Sequence, residues 1–122
     1  MFDLVIAVIF FVLIAFDSLY LGLIYRPFSR MIERVQGTPL RINWIGALVC
    51  YLALSAALYY FVILPNRGLK DAFILGVLIY TVYESVSYAT LSRWDWRIGV
   101  IDSLWGGLLF LLSAWSVKRF YQ

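Results

Sequence analysis

Histidine is absent from the 122 residues, and there is one cysteine, Cys50. Without histidine the chain lacks the usual haem axial ligand, the commonest metal ligand and the side chain that most readily shuttles protons near neutral pH. One cysteine cannot close a disulfide within the chain, and Cys50 stands in an apolar run, where it reads as a small packing residue. No cofactor and no metal are expected. Charge is scarce as well, with Asp, Glu, Lys and Arg making up 14% of the chain.

What is abundant is apolar surface. Hydrophobic residues make up 64% of the sequence and the mean hydropathy is +0.89. A chain this short forms a single domain, 1–122, and one soluble domain of that size could not hide so much apolar surface. The expected solvent, and first partner, is the lipid bilayer. A net charge of +3 and a pI near 9.2 would hint at nucleic acid in a soluble protein. Here the ten Lys and Arg residues lie almost wholly between apolar runs. That is the normal flank of membrane helices, so no nucleic acid is expected. Met1-Phe2-Asp3 precedes the first run with neither a basic signal region nor an Arg- and Ser-rich transit pattern, so this run is expected to stay as a helix.

Four runs are long enough to span: Leu4–Ile24, Trp44–Leu64, Asp71–Leu91 and Ile98–Val117. Each has about 20 residues, or ~30 Å as a helix, which matches the hydrocarbon thickness. Barrel strands need half that length and strict alternation, which is absent. The fold class is all-α, a polytopic bundle of four transmembrane helices. Pro65-Asn66-Arg67-Gly68 makes a tight turn after the second span, and Ser92 to Arg97 forms a short polar link. Such links make neighbouring helices antiparallel. Trp44, Trp94, Trp96 and Trp115 are candidate interface anchors.

The first connection, Tyr25 to Asn43, is longer. Pro27 suits a first helical turn; Phe28, Met31, Ile32 and Val35 repeat at helical spacing, and Gly37 supplies a stop. The spacing predicts a short interfacial helix over Pro27–Gln36, with a partner-docking site as the alternative. Arg26, Arg30, Arg34, Arg41, Arg93 and Arg97 lie on one side and Arg67, Lys70, Lys118 and Arg119 on the other. Six against four favours the first and third connections on the cytoplasmic or matrix-like side. A mitochondrial or bacterial-type inner membrane fits equally.

Three carboxylates fall inside spans: Asp17, Glu84 and Asp102. Each costs roughly 2.5–3.5 kcal/mol at a helix centre, less nearer an end. Asp17 and Glu84 each stand seven residues before the end of a span, and Asp102 four after the start of one. All three therefore share one half of the membrane and are expected to face one another. Each is followed by serine, and Asp17-Ser18-Leu19-Tyr20-Leu21-Gly22 looks like Asp102-Ser103-Leu104-Trp105-Gly106-Gly107. The expected cluster is Asp17, Ser18, Glu84, Ser87, Asp102 and Ser103. Arg26, Arg41, Arg93 and Arg97 are possible charge partners reaching down to it. Gly22, Gly46, Ala53, Ala57, Gly76, Gly99, Gly106 and Gly107 form small-residue ridges suited to close helix packing.

These residues carry a family resemblance. The chain resembles the predicted membrane proteins grouped as domain of unknown function 2177 over nearly its whole length. The matching pieces are Asp17 to Gly22, Trp44 with Leu64-Pro65, Gly76 to Glu84 with Ala89-Thr90-Leu91 and Trp94, and Asp102 with Trp105-Gly106. Glu84 stands where that family usually has Asp, Ser87 where Asn is expected and Tyr20 where Trp is common. An ion site built on the shorter Asp and an Asn carbonyl is therefore not implied. The resemblance supports architecture and leaves function open.

No nucleophile, metal set or phosphate loop accompanies the acids, so a catalytic acid pair is disfavoured. The leading expectation is a non-catalytic structural or accessory subunit of a larger membrane complex. The expected partners are other membrane subunits or further copies of the chain. The alternative is a small oligomeric ion-coupled transporter or proton path using the carboxylates. A lipid-acting membrane enzyme is a third option.

Overall fold

The four apolar runs become four helices in the computed structural model, which describes residues 2–121. They are α1 (Phe2–Gln36), α2 (Trp44–Leu58, extended by one π turn over Tyr59–Ile63), α3 (Leu69–Thr90) and α4 (Trp96–Tyr121). All four are long and apolar enough to cross a bilayer. Short links between consecutive spans make them antiparallel. The α1–α2 and α3–α4 connections therefore share one end of the bundle, with the α2–α3 turn at the other.

Local chemistry sets the boundaries. Asn43 caps α2, its Oδ1 accepting the Gly46 N–H at 3.1 Å, and Asp95 caps α4 by accepting the Arg97 N–H at 2.9 Å. Both satisfy a donor that a helix start leaves open. Gly37 ends α1 with φ +77°, a conformation open to glycine at no steric cost. Asn66 takes φ 57° in the α2–α3 turn. That turn is tied to α4 by Lys118, which donates to Asn66 Oδ1 at 3.3 Å and to the Arg67 carbonyl.

The segment expected to form a separate interfacial helix is helical, but it continues α1 without a break through Pro27. Proline removes one backbone hydrogen bond there. Tertiary packing offsets that loss. Ile24 and Met31 are buried with Trp94 and Ile98, and Phe28, Ile32 and Val35 pack around them. The Asp95 N–H also points at Met31 Sδ, 3.2 Å away. The i, i+3, i+4, i+7 stripe thus faces the third connection, and it fixes where Trp94 can sit.

The main core joins Ile9 and Leu13 of α1, Leu54, Leu58 and Val62 of α2, Ala72 of α3, and Leu109, Phe110, Ala114 and Val117 of α4. Helix α4 is central, packing most extensively on α3 and also on α1. Helix α2 leans mainly on α1, and its π turn also touches α4. Glycine explains the tight α3–α4 seam. A Cβ on Gly76 would lie 2.1 Å from the Gly106 carbonyl oxygen, and one on Gly106 would lie 2.3 Å from the Tyr80 ring. One on Gly107 would meet Val77 and Phe73 at 2.5 and 2.7 Å. Small residues here let two backbones touch, which drives helix association in lipid.

Candidate functional site: a cross-helix carboxylate network

Asp17, Glu84 and Asp102 are 7%, 4% and 9% exposed, so none looks out at lipid. Each is met by a tyrosine or tryptophan from another segment. Asp17 of α1 accepts from the Tyr51 hydroxyl of α2 and, at 2.8 Å, from the Trp105 Nε1 of α4. Asp102 of α4 accepts from the Tyr20 hydroxyl of α1. Glu84 of α3 accepts at 2.9 Å from Nε1 of Trp94 in the third connection.

Helices α1 and α4 exchange these bonds reciprocally. In each, an acid precedes an aromatic donor by three residues: Asp17 with Tyr20, and Asp102 with Trp105. Positions three apart share a helix face. Set antiparallel, the acid of one segment meets the aromatic of the other. The Tyr20 and Trp105 rings then stack between them with centroids 4.7 Å apart and planes 6° from parallel. The six-residue likeness between the two segments thus has a geometric counterpart.

The acids also interact among themselves. Asp102 is the common neighbour, acting on Asp17 and on Glu84. Glu84 Oε1 holds the Trp94 bond; Oε2 is buried with no amide, hydroxyl or basic donor among the described residues, and the Asp102 carboxyl lies within hydrogen-bond reach of Glu84.

The serines do not join the network. Ser18 is exposed, Ser103 donates back to the Gly99 carbonyl at 2.9 Å, and Ser87 is buried without a bond to any of the acids. A serine following the acid is rotated about 100° away from it on a helix. Ser18 and Ser103 therefore point elsewhere.

The arginines differ from expectation too. Arg26, Arg41, Arg93 and Arg97 are all exposed. The ion pair among the described residues is Arg67 with Asp71 at 3.8 Å, on the outer surface. A neutral phenol or indole satisfies a buried carboxylate without desolvating a second charge, so it is the less costly partner.

The small residues divide by helix. Gly76, Gly99, Gly106 and Gly107 lie at the α3–α4 seam. Gly22 has nothing within 4 Å of a Cβ position, Gly46 would meet only its own cap Asn43, Ala53 is exposed and Ala57 is half-buried. The expected ridges on α1 and α2 therefore do not pack inside the bundle, because α2 sits at its edge.

Of the tryptophans, Trp44, Trp96 and Trp115 are exposed and Trp94 is buried, at 7%. Trp94 is a network donor rather than a surface anchor. Arg93 just before it takes φ 66°, a strained conformation costing about 1–2 kcal/mol that burial of the following indole offsets. Tyr51 and the donor role of Trp105 escaped sequence reasoning. Buried carboxylates with no cation at their depth need hydroxyl or indole donors, and that was the available signal.

A family model described as a predicted membrane protein (DUF2177) matches residues 2–118. No curated protein and no solved structure matches the chain. Nearly the whole chain is covered, including all three acids and their four aromatic donors, and four membrane-length helices are present. The chain is an integral, multi-pass membrane protein and belongs to the predicted membrane protein family DUF2177.

Proposed function

We propose that the protein is a non-catalytic structural or accessory component of a larger membrane assembly, in a bacterial-type or mitochondrial inner membrane. The supporting observation is how its intramembrane polar groups are used. Asp17 alone joins three helices through Tyr51 and Trp105, and Asp102 returns a bond to α1 through Tyr20. Carboxylates engaged in this way hold register between helices, as a buried polar group can in a membrane bundle. The outward small residues on α2 give a neighbouring helix, from another subunit or a second copy, a surface it can approach closely.

Purification in a gentle detergent followed by mass spectrometry tests this reading. A stoichiometric partner, or a second copy, is expected. Gly46→Leu with Ala53→Leu is expected to release it without lowering bundle stability, since neither site packs inside the chain. A wild-type chain that runs alone removes the proposal.

One observation favours a second reading, a small oligomeric ion-coupled transporter or proton path. Glu84 and Asp102 are buried within hydrogen-bond reach of one another, with no Lys or Arg paired to either among the described residues. Buried acids of this kind in membrane proteins often mark ion pathways. Flux into liposomes decides it, comparing wild type with Glu84→Gln and Asp102→Asn. Equal flux, or none, in all three proteins ends this reading.

A further inference from the structure

A groove of about 470 Å³ runs between α3 and α4 near their connection, with Glu84, Ser85, Trp94, Trp96, Gly99 and Ser103 among its walls. It is mostly apolar, and its acid is buried. The Glu84 carboxylate is set between two other groove residues. Its Oε1 takes the Trp94 N–H at 2.9 Å and lies 3.1 Å from the place a Cβ would occupy on Gly99. The missing side chain at Gly99 lets the Glu84 carboxylate pack directly against α4. Gly99 is three residues into α4, about 4.5 Å along the axis. Glu84 thus lies in the half of the membrane nearer the α3–α4 connection.

The charge arrangement is one-sided. The Asp102 carboxyl lies within hydrogen-bond reach of Glu84, and no Lys or Arg lines the groove. A buried carboxylate without a counter-charge is costly unless a cation or a set of donors reaches it. The groove opens sideways between exposed apolar residues such as Val100 and Tyr88. A polar ligand with its own apolar tail therefore fits the approach. Arg97, whose guanidinium lies 5.9 Å from the centroid of the Trp96 ring, stands at the rim, where a phosphate would follow an ammonium.

We infer that the α3–α4 groove binds the primary ammonium headgroup of a zwitterionic phospholipid, with Glu84 as the counter-charge and the hydroxyls of Ser85 and Ser103 as further acceptors. A primary ammonium carries three donors and matches this set. A trimethylated one carries none. This site is independent of the assembly proposed above, since it faces lipid on α3 and α4 and the open small residues lie on α2.

The test uses the full chain in nanodiscs of phosphatidylethanolamine and phosphatidylglycerol with identical acyl chains, followed by release into detergent and counting of retained lipid. Wild type is expected to hold one phosphatidylethanolamine with about tenfold preference, the ratio set by one charge-assisted hydrogen bond. Glu84→Gln is expected to lose the preference, while Asp71→Asn, at a half-exposed acid at the other end of α3, keeps it. Should Glu84→Gln fail to fold, stepwise headgroup methylation on the wild type decides instead. Retention falling from the primary to the trimethylated amine supports the site. Equal retention of the two starting lipids, or of all methylation states, overturns it. Free ethanolamine bound as tightly as the lipid overturns the lipid assignment.

Discussion

Asp17→Ala is expected to loosen the bundle by about 2–3 kcal/mol while easing insertion of α1 into the bilayer. The two effects have opposite signs because they belong to different steps. Insertion exposes the acid to lipid, and removing it saves part of the roughly 2.5–3.5 kcal/mol that a central Asp costs. Assembly then brings Tyr51 and Trp105 onto the same carboxylate. Without it, two donors from two different helices lose their acceptor. Membrane hydrogen bonds average about 0.6 kcal/mol and reach ~1.7 kcal/mol, and a donor left buried and unpaired costs about 1–3 kcal/mol. Asp17→Asn keeps one acceptor oxygen and should lose about half as much. Asp102→Ala strands one donor, Tyr20, and should fall below Asp17→Ala. Reversible unfolding in mixed micelles orders the three variants. Loss of stability greater for Asp102→Ala than for Asp17→Ala would contradict the network as described.

Gly76→Ala carries the second large effect. The new methyl would lie 2.1 Å from the Gly106 carbonyl oxygen and 2.7 Å from its carbon. The obstacle is backbone on the facing helix, so no rotamer change relieves it and α3 must move away from α4. Overpacking costs about 1–3 kcal/mol, and this site belongs at the upper end because the α3–α4 seam is the most extensive in the chain. Gly22→Ala is the matched control. Nothing stands within 4 Å of its Cβ position, and alanine is favoured over glycine in a helix by about 0.5–1 kcal/mol. The two substitutions should move thermal stability in opposite directions, measured by loss of the folded, detergent-solubilised form on heating. Equal effects would mean the α3–α4 seam is not glycine-dependent.

The spans were legible in the sequence because lipid imposes length and hydropathy directly on each segment, independent of its neighbours. Equal depth of the three acids followed from the same ruler, counting residues from span ends. The partners of those acids were not legible, since Tyr51 and Trp94 reach them only once α2 and the third connection are placed beside α1 and α3. The same limit governs the glycines. Gly76 and Gly22 look alike in sequence, and only the presence or absence of a facing helix separates a seam from an open face. Pro27 read as a helix start because proline suits a first turn. Packing of Met31 against Trp94 and Ile98 carries α1 through it instead. Sequence likeness between the Asp17 and Asp102 segments was visible. Its meaning, an exchange of acid and aromatic between antiparallel helices, required their stacking to be seen.

Aromatic N–H and O–H groups from other segments engage the buried acids. Solid-state NMR of the protein in lipid, with tryptophan indole nitrogens and Asp and Glu carboxyl carbons isotopically labelled, addresses this directly. Nitrogen–carbon dipolar coupling across one hydrogen bond is predicted for Trp105 with Asp17 and for Trp94 with Glu84, whose nitrogen–oxygen contacts are 2.8 and 2.9 Å, each lost in the corresponding Trp→Phe variant. Carboxyl signals with no coupling to either indole in the wild type would contradict it.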